Sequence, residues 1–381
     1  MSTILTISHT DYTKSVGGTE KVILEQAQLF AEAGFDVVHV CPISRDFKIK
    51  GRTAYSFRTG YKLIKNNKVV GEDLPFYRVL AFIKKEDIHR IIIHMMTGLS
   101  FRDIGEILNT YSSVEKFFYV HDYKSVCTGQ VLLKNKNRYC GDNGRLFKKC
   151  ANCRFYWEGI ADAIRYRNLI SQNLSLKFIF PSKVAKDIWH KTYPQVSQNR
   201  LLVIPHQVLL GNPSAPIHNN EKLRIAYVGY KSFNKGWSAF RQLVIADKQE
   251  KYDFYVLGKS DEQFPNVKHT SVSFLDDGPD AMIKALKNNK IDVALLWSTW
   301  PETYSYTLFE SYVAGAYILT NTNSGNIAAV VCESKCGRVF STTEMLLDYA
   351  YNGDLENDVR NDKSLRPTVL EINKDAMLQL I

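Results

Sequence analysis

Short apolar, β-branched runs alternate with longer amphipathic stretches along most of the chain. Residues 4–9 read as a strand, 20–33 as a helix and 36–43 as a second strand. Further strand-like runs fall at 90–95, 116–121, 176–181 and 201–205, with helical patterns at 101–110, 154–173 and 183–193. A second series then begins: strands at 223–229, 252–258, 291–297 and 317–321, helices at 237–246, 280–288 and 306–314. Strand–helix alternation is the pattern of parallel sheets covered by helices, and here it occurs twice. The expected fold class is therefore α/β, with two open sheets and an interdomain cleft as the natural ligand site.

The turn-rich stretch 207–221, with Gly211, Pro213, Pro216, Asn219 and Asn220, suits a linker between the two series. The expected organisation is an N-terminal domain over 1–206, a second domain over 222–360, and a C-terminal segment 361–381 that packs back on the first. Residues 47–76 break the alternation as a basic, tyrosine-bearing β-excursion, and 127–153 form a cysteine-rich insertion.

Composition narrows the class. At 381 residues, 45% hydrophobic and 23% charged, the chain has the make-up of a folded two-domain protein and not of a disordered one. No apolar run approaches the roughly 20 residues of a membrane-spanning helix. The first residues lack a charged region followed by a long apolar stretch, so a cytoplasmic location with reduced cysteines is expected. Of the formal net charge of +10, the front half carries more than all. Up to His206 there are 31 Lys and Arg against 18 Asp and Glu, and beyond it 18 against 21. A basic front half suits an anionic membrane surface, a lipid phosphate, an anionic polysaccharide or nucleic acid; the bland alternative is a solvated face.

Candidate chemistry concentrates where strands meet helices. Glu302 follows the strand at 291–297 and Glu310 lies eight residues on, inside the next helix. Amides of Ser305, Tyr306 and Thr307 at that helix start are placed to hold a diphosphate, although acids near a helix N-terminus are also favourable through the dipole alone. A strand runs into Gly229, and Lys235-Gly236 opens another helix, the parts of a phosphate cradle. Gly17 and Gly18, after Val16, permit close backbone approach of a ligand. They do not complete a Gly-x-Gly-x-x-Gly pattern, which counts against nicotinamide binding. His121 ends an apolar strand and is followed by Asp122 and Tyr123. A polar glycine turn follows the strand at 317–321.

Cys127, Cys140, Cys150 and Cys153 have twelve, nine and two residues between them. In a reduced compartment this suits a tetrahedral thiolate site. Structural Zn²⁺ is the first reading and an iron–sulfur cluster the second, with free thiols or a reversible disulfide also open. Gly141, Gly144, Lys148 and Lys149 would offer turns and charge compensation. Four protein ligands leave no open position, so no catalysis is assigned to such a metal. Cys41, Cys332 and Cys336 read as structural.

The segment 301–315 resembles the Glu-x7-Glu signature of retaining glycosyltransferases of the GT-B fold, especially family 4, through Glu302, Glu310, Pro301, Tyr304, Ala314 and Gly315. The stretch 226–237 is similar to the family's Gly-Arg-x5-Lys-Gly element, with Tyr230 in place of the arginine. Gly17-Gly18-Thr19-Glu20 resembles its Gly-Gly-x-Glu loop. His121-Asp122-Tyr123, followed by cysteines, matches one subgroup. The resemblance implies two Rossmann-like domains. It implies that Glu302 contacts donor-sugar hydroxyls, Glu310 the ribose, Lys235 and the 305–307 amides the diphosphate, and that His121 lies beside the donor sugar. Catalytic roles are expected of Glu302, His121 and Lys235. Donor contacts are expected of Gly17, Gly18, Gly229, Ser305, Tyr306, Thr307 and Glu310. Ser305 stands where the family usually has Gly.

The expected function is transfer of a sugar from a nucleoside-diphosphate sugar to a glycan or lipid-linked acceptor, with retention and without a catalytic metal. The expected setting is cell-surface polysaccharide assembly at the inner face of the membrane. A sugar-nucleotide epimerase of the same fold is the alternative. A nucleic-acid-binding protein with a cysteine–zinc module is a remoter one, since the spacing matches no common finger.

Overall fold

In a computed structural model, residues 2–14, 17–49, 52–141, 150–259 and 264–381 are described, those at 44–49, 52–59 and 275 by backbone only. The strands gather into two principal sheets. In the first, the spatial order is Leu201–Val203, Lys177–Phe180, Glu115–Tyr119, Ile88–Ile93, Thr3–Ile7, Asp36–Ile49, Arg52–Lys65 and Lys68–Leu74. The first six run parallel and the last two join antiparallel.

The excursion at 47–76 is thus a β-meander that extends the sheet. Its turn at Asn66 and Asn67 has positive φ at both residues, 48° and 64°, as a two-residue hairpin loop requires. A short helix, Phe76–Ile83, returns the chain to the parallel part by burying Val79, Leu80 and Ile83. Ile4, Ile23, Phe30, Ile92, Tyr119 and Ile179 form the core between this sheet and a covering helix, Gly18–Glu32.

The second sheet is parallel throughout: Val267–Thr270, Asp253–Leu257, Arg224–Val228, Val293–Leu295, Tyr317–Asn321 and Gly337–Phe340. Its central strands are apolar on both faces because helices cover both. Ile225, Tyr227, Phe254 and Val256 pack into one core, and Ala226, Val228, Tyr255 and Leu257 into the other. The chain builds outward from Arg224–Val228 in one direction, then crosses back to build from Val293–Leu295 in the other. That reversal makes a topological switch point, where open α/β sheets bind ligands beyond the strands' carboxyl ends.

The described chain divides into two units. One comprises 2–131, 150–206 and Ile372–Ile381; the other comprises Leu132–Gly141 and Gln207–Glu371. The turn-rich stretch after His206 begins as a strand, Gln207–Leu210, paired with Val369–Ile372. Its Val208, Leu209 and Leu210 supply the β-forming run, and Gly211 at φ +83° ends it. In the first unit, Leu380 at the chain's end is buried with Ile4 and Ile23. Among the described residues no helix is long and apolar enough to cross a membrane.

Candidate functional site

Two loops meet at the switch point of the second unit. The strand Arg224–Val228 ends at Gly229, whose φ of +106° turns the chain and whose N–H donates to the Leu257 carbonyl at 2.8 Å. Gly258 packs directly on it: a Cβ there would lie 2.5 Å from the Gly229 oxygen. A single turn, Phe233–Lys235, then leads through Gly236 (φ +84°) into the helix Trp237–Ala246. A Cβ at Gly236 would stand 2.1 Å from the Trp297 carbonyl oxygen, so only glycine lets this turn lie against the neighbouring strand. The Asn234 carbonyl ties the two loops together by accepting from the Thr299 amide at 3.0 Å.

That close approach brings Lys235 Nζ to 2.6 Å from Glu302 Oε1. The same oxygen lies 3.0 Å from Ser298 Oγ. Glu302 is 4% exposed, whereas the Lys235 side chain is 42% exposed and its ammonium sits 5.8 Å from the Trp300 ring centroid. A carboxylate so buried needs its charge partner and hydroxyl donor.

The backbone of Glu302 is pinned as well. Its amide donates to the Ser324 carbonyl at 3.2 Å, and its carbonyl accepts from the Asn326 amide at 3.0 Å. Asn326 Nδ2 also donates to the Tyr304 carbonyl at 2.9 Å. The polar turn after Tyr317–Asn321 therefore serves as a brace for the acidic loop. Ser298, Ser324, Gly325 and Asn326 carry this bracing, and only the motif-like density of small polar residues at 321–326 signals it in the sequence.

The helix Tyr306–Val313 starts beside this pair. Its N-cap, Ser305, has φ +74° and ψ +96°, a conformation that favours glycine. The Ser305 and Thr307 hydroxyls are 3.2 Å apart, and Thr307 Cγ2 lies 3.4 Å from where a Cβ on Gly229 would be. Gly229, Lys235, Glu302, Ser305 and Thr307 are thus brought to one edge. The helix start at Ser305, Tyr306 and Thr307 is half-buried, and the first amides of a helix have no carbonyl one turn earlier to bond. Glu310 lies one turn in and is 7% exposed. Lys231, next to Tyr230, has its ammonium 5.1 Å from the Trp237 ring centroid.

In the first unit, the strand ends carry a cluster of histidines. His94 Nδ1 and His121 Nε2 are 3.0 Å apart, and the Tyr119 ring stacks on His121 with centroids 4.6 Å apart. His206 lies 5.6 Å from His121 by ring centroids. Burial holds His94 and His121 well below the usual histidine range and brings His206 to about 3. These rings are neutral at pH 7 and serve as hydrogen-bonding groups without charge.

Gly17 is extended, with φ −138°, and Glu20 folds back over it: a Cβ there would fall 2.4 Å from Glu20 Oε2. Glu20 Oε1 reaches His9 Nε2 at 3.2 Å, a pairing the glycine motif alone does not announce. Gly18 opens the helix Gly18–Glu32, and Val16 lies outside the described residues.

Cys127, Cys140, Cys150 and Cys153 are all half-buried, and no disulfide joins any of the described cysteines. Among the described residues no three His, Cys, Asp or Glu side chains are grouped as a metal site. Cys140 follows a small hairpin, Leu133–Lys134 with Arg138–Tyr139, and Cys153 donates its amide to the Cys150 carbonyl at 2.9 Å. Gly144, Lys148 and Lys149 lie outside the described residues.

No protein-family model matches the sequence, and no curated protein matches it. Solved structures do resemble it. Sucrose-phosphate synthase from Thermosynechococcus elongatus superposes with a TM-score of 0.62 at 12% identity, over 95% of this chain and 92% of that one. HepE from Anabaena, solved in complex with UDP-glucose, gives 0.55 at 10% identity, over 94% and 92%. OtsA gives 0.51 at 11% identity, over 100% and 95%. At such identities the likeness is one of architecture, and the architecture of this chain is the GT-B fold.

Proposed function

We propose that the chain is a nucleotide-sugar-dependent glycosyltransferase whose donor binds at the switch-point edge of the second unit. The observation that carries the reading is the 2.6 Å pair between half-exposed Lys235 and buried Glu302, beside a helix start on the carboxyl edge of a parallel sheet. HepE, described with UDP-glucose, supports a nucleoside-diphosphate sugar as the donor class.

In this reading Lys235 and the amides of Ser305, Tyr306 and Thr307 hold the diphosphate. Glu302 keeps Oε1 on Lys235 and Ser298 and offers Oε2 to a sugar hydroxyl, while Glu310 takes the ribose. The bond from sugar C1 to the diphosphate oxygen breaks, the electron pair leaving on the diphosphate. A new bond forms from C1 to an acceptor hydroxyl, whose proton is released. Stabilising the departing charge is the main catalytic task, and the cation and helix amides suit it. Gly17, Gly18 and neutral His121 are assigned to the sugar, with transfer proceeding with retention. The basic front half favours an acceptor that bears phosphate or other anionic groups, such as a lipid-linked or growing surface glycan.

The test is turnover of a panel of nucleoside-diphosphate sugars with and without lipid-phosphate and glycan acceptors. Acceptor-dependent release of nucleoside diphosphate, reduced at least about 100-fold in Glu302→Gln, is expected. Conversion of the sugar without any acceptor would instead mark an epimerase, and undiminished turnover in Glu302→Gln would overturn the site.

A further inference from the structure

Behind His121 stands a second histidine that the sugar-binding role does not use. In the first sheet Ile88–Ile93 and Glu115–Tyr119 are parallel neighbours, with Ile93 opposite Phe118. The chain beyond each strand keeps that register, so His94 rests on Tyr119 with ring centroids 5.5 Å apart and planes at 10°. His121, two residues past Tyr119, stacks on both rings, at 4.6 Å from Tyr119 and 5.3 Å from His94. The His94 amide donates to the Ile7 carbonyl at 2.8 Å, which fixes the backbone that carries the ring. His94 is 1% exposed and His121 half-buried, so His121 is the outer member of the pair.

Stacking alone does not call for a histidine at 94, since any flat apolar ring would serve. What histidine adds is the 3.0 Å contact between its Nδ1 and Nε2 of His121. Burial keeps both rings neutral, and at that distance one facing nitrogen donates and the other accepts. The far nitrogen of His94 decides which. Nε2 is buried and without a hydrogen-bond partner among the described residues. A proton there would be a buried N–H with no acceptor, which folded proteins avoid more strictly than an acceptor short of a donor. The His94 proton therefore belongs on Nδ1, and His121 Nε2 accepts from it. A neutral imidazole has one N–H, so that of His121 is on Nδ1.

We propose that His94 is a positioning residue for the transfer reaction: by donating to Nε2 of His121 it holds that ring as the Nδ1–H tautomer, a fixed hydrogen-bond donor to an oxygen of the donor sugar. This role presupposes that His121 meets the sugar, as proposed above. Neither ring is charged, so the gain is orientation and not attraction: a ring that neither rotates nor exchanges tautomers presents its N–H in one place. Without the His94 donor the His121 proton can shift to Nε2, and Nδ1 then meets the sugar with a lone pair in place of an N–H.

The full chain with ¹⁵N-labelled histidine rings reports the tautomer directly, because a protonated and a bare ring nitrogen resonate far apart. The His121 signals are identified by their loss in His121→Asn. A proton on Nδ1 and a bare Nε2 are expected in the parent chain and in His94→Asn, whose side-chain amide donates from the place of Nδ1. In His94→Leu, which fills the space without a donor, part of the His121 population is expected to carry its proton on Nε2. Acceptor-dependent kcat should fall about tenfold in His94→Leu, as for the loss of one hydrogen bond, and recover in His94→Asn. A His121 proton on Nε2 in the parent chain would overturn the proposal even if neither variant folds. So would an unchanged His121 tautomer in His94→Leu, or full turnover in His94→Leu when His121→Ala loses it. Undiminished turnover in His121→Ala would overturn the positioning role at its source, the sugar contact, while the spectrum still decides the tautomer.

Discussion

Ser305 holds φ at +74° without being glycine, at the N-cap of the helix whose Thr307 faces Gly229. A side chain there costs on the order of 1 kcal/mol, part of which the contact with the Thr307 hydroxyl offsets. Ser305→Gly should therefore leave stability unchanged or raise it by up to about 1 kcal/mol, while Ser305→Val should lower it; urea unfolding of the three proteins measures both. Gly325 is the stricter case. With φ +63°, a Cβ would stand 2.6 Å from the Pro301 backbone, so Gly325→Ala must push away the loop that carries Glu302. A loss of about 2 kcal/mol or more is expected, and an equal urea midpoint would show that the loop tolerates the shift. The sequence marks Ser305 only as a departure from a family glycine, and the dihedral angle supplies the reason glycine is used. It cannot show that Ser298 shares a Glu302 oxygen with Lys235, because residues 63 positions apart in sequence meet only when the sheet is assembled.

At the scale of elements, the central strands were legible because they are apolar on both faces and bounded by glycine or polar turns. The strand at 223–229 and that at 291–297 appear in the structure, shorter, as Arg224–Val228 and Val293–Leu295. The edge strands Val267–Thr270 and Gly337–Phe340 escaped notice, since an edge needs no continuous apolar run and each is only four residues long. The segment after residue 360 is held by a buried charge that no periodicity reveals. Arg366, 2% exposed, pairs with Asp362 and donates to the Ala316 carbonyl at 2.6 Å. Arg366→Met alone strands the Asp362 carboxylate and should cost about 3–5 kcal/mol. Adding Asp362→Asn should recover part of that loss. Thermal unfolding of the two variants decides it, and a double variant no more stable than the single would speak against the buried pair.

At the scale of the molecule, the doubled strand–helix alternation was enough to read two open α/β sheets, because that periodicity is set by helices covering the sheets. The charge asymmetry is legible in the sequence but identifies no partner. Its histidines carry a separate consequence. Burial lowers His39 to about 4 and His206 to about 3, and holds His94 and His121 well below their usual range. Below pH 6.5 the unfolded chain takes up protons at these four positions while the folded one does not, so stability present above pH 6.5 is lost as pH falls. Each contributes about 1.4 kcal/mol per pH unit while its folded form stays neutral. Asp122, which burial raises to about 6, acts in the opposite sense: the folded state holds that proton more tightly, so its effect lowers stability as pH rises from about 4 to 6. Four histidines outweigh one carboxyl, and the urea midpoint should fall steadily from pH 7 to pH 5. A midpoint flat across that interval would mean that the rings are not buried as described.

The central claim is that the edge carrying Lys235 and Glu302 holds the diphosphate of a nucleotide sugar. Titration calorimetry of the full chain and Lys235→Ala with UDP, GDP and TDP, each beside its nucleoside, tests it most directly. One nucleoside diphosphate should bind, and Lys235→Ala should weaken it about tenfold or more through loss of a charge-assisted contact, leaving any nucleoside affinity unchanged. Binding of none of the three, or equal affinity in Lys235→Ala, would contradict the account.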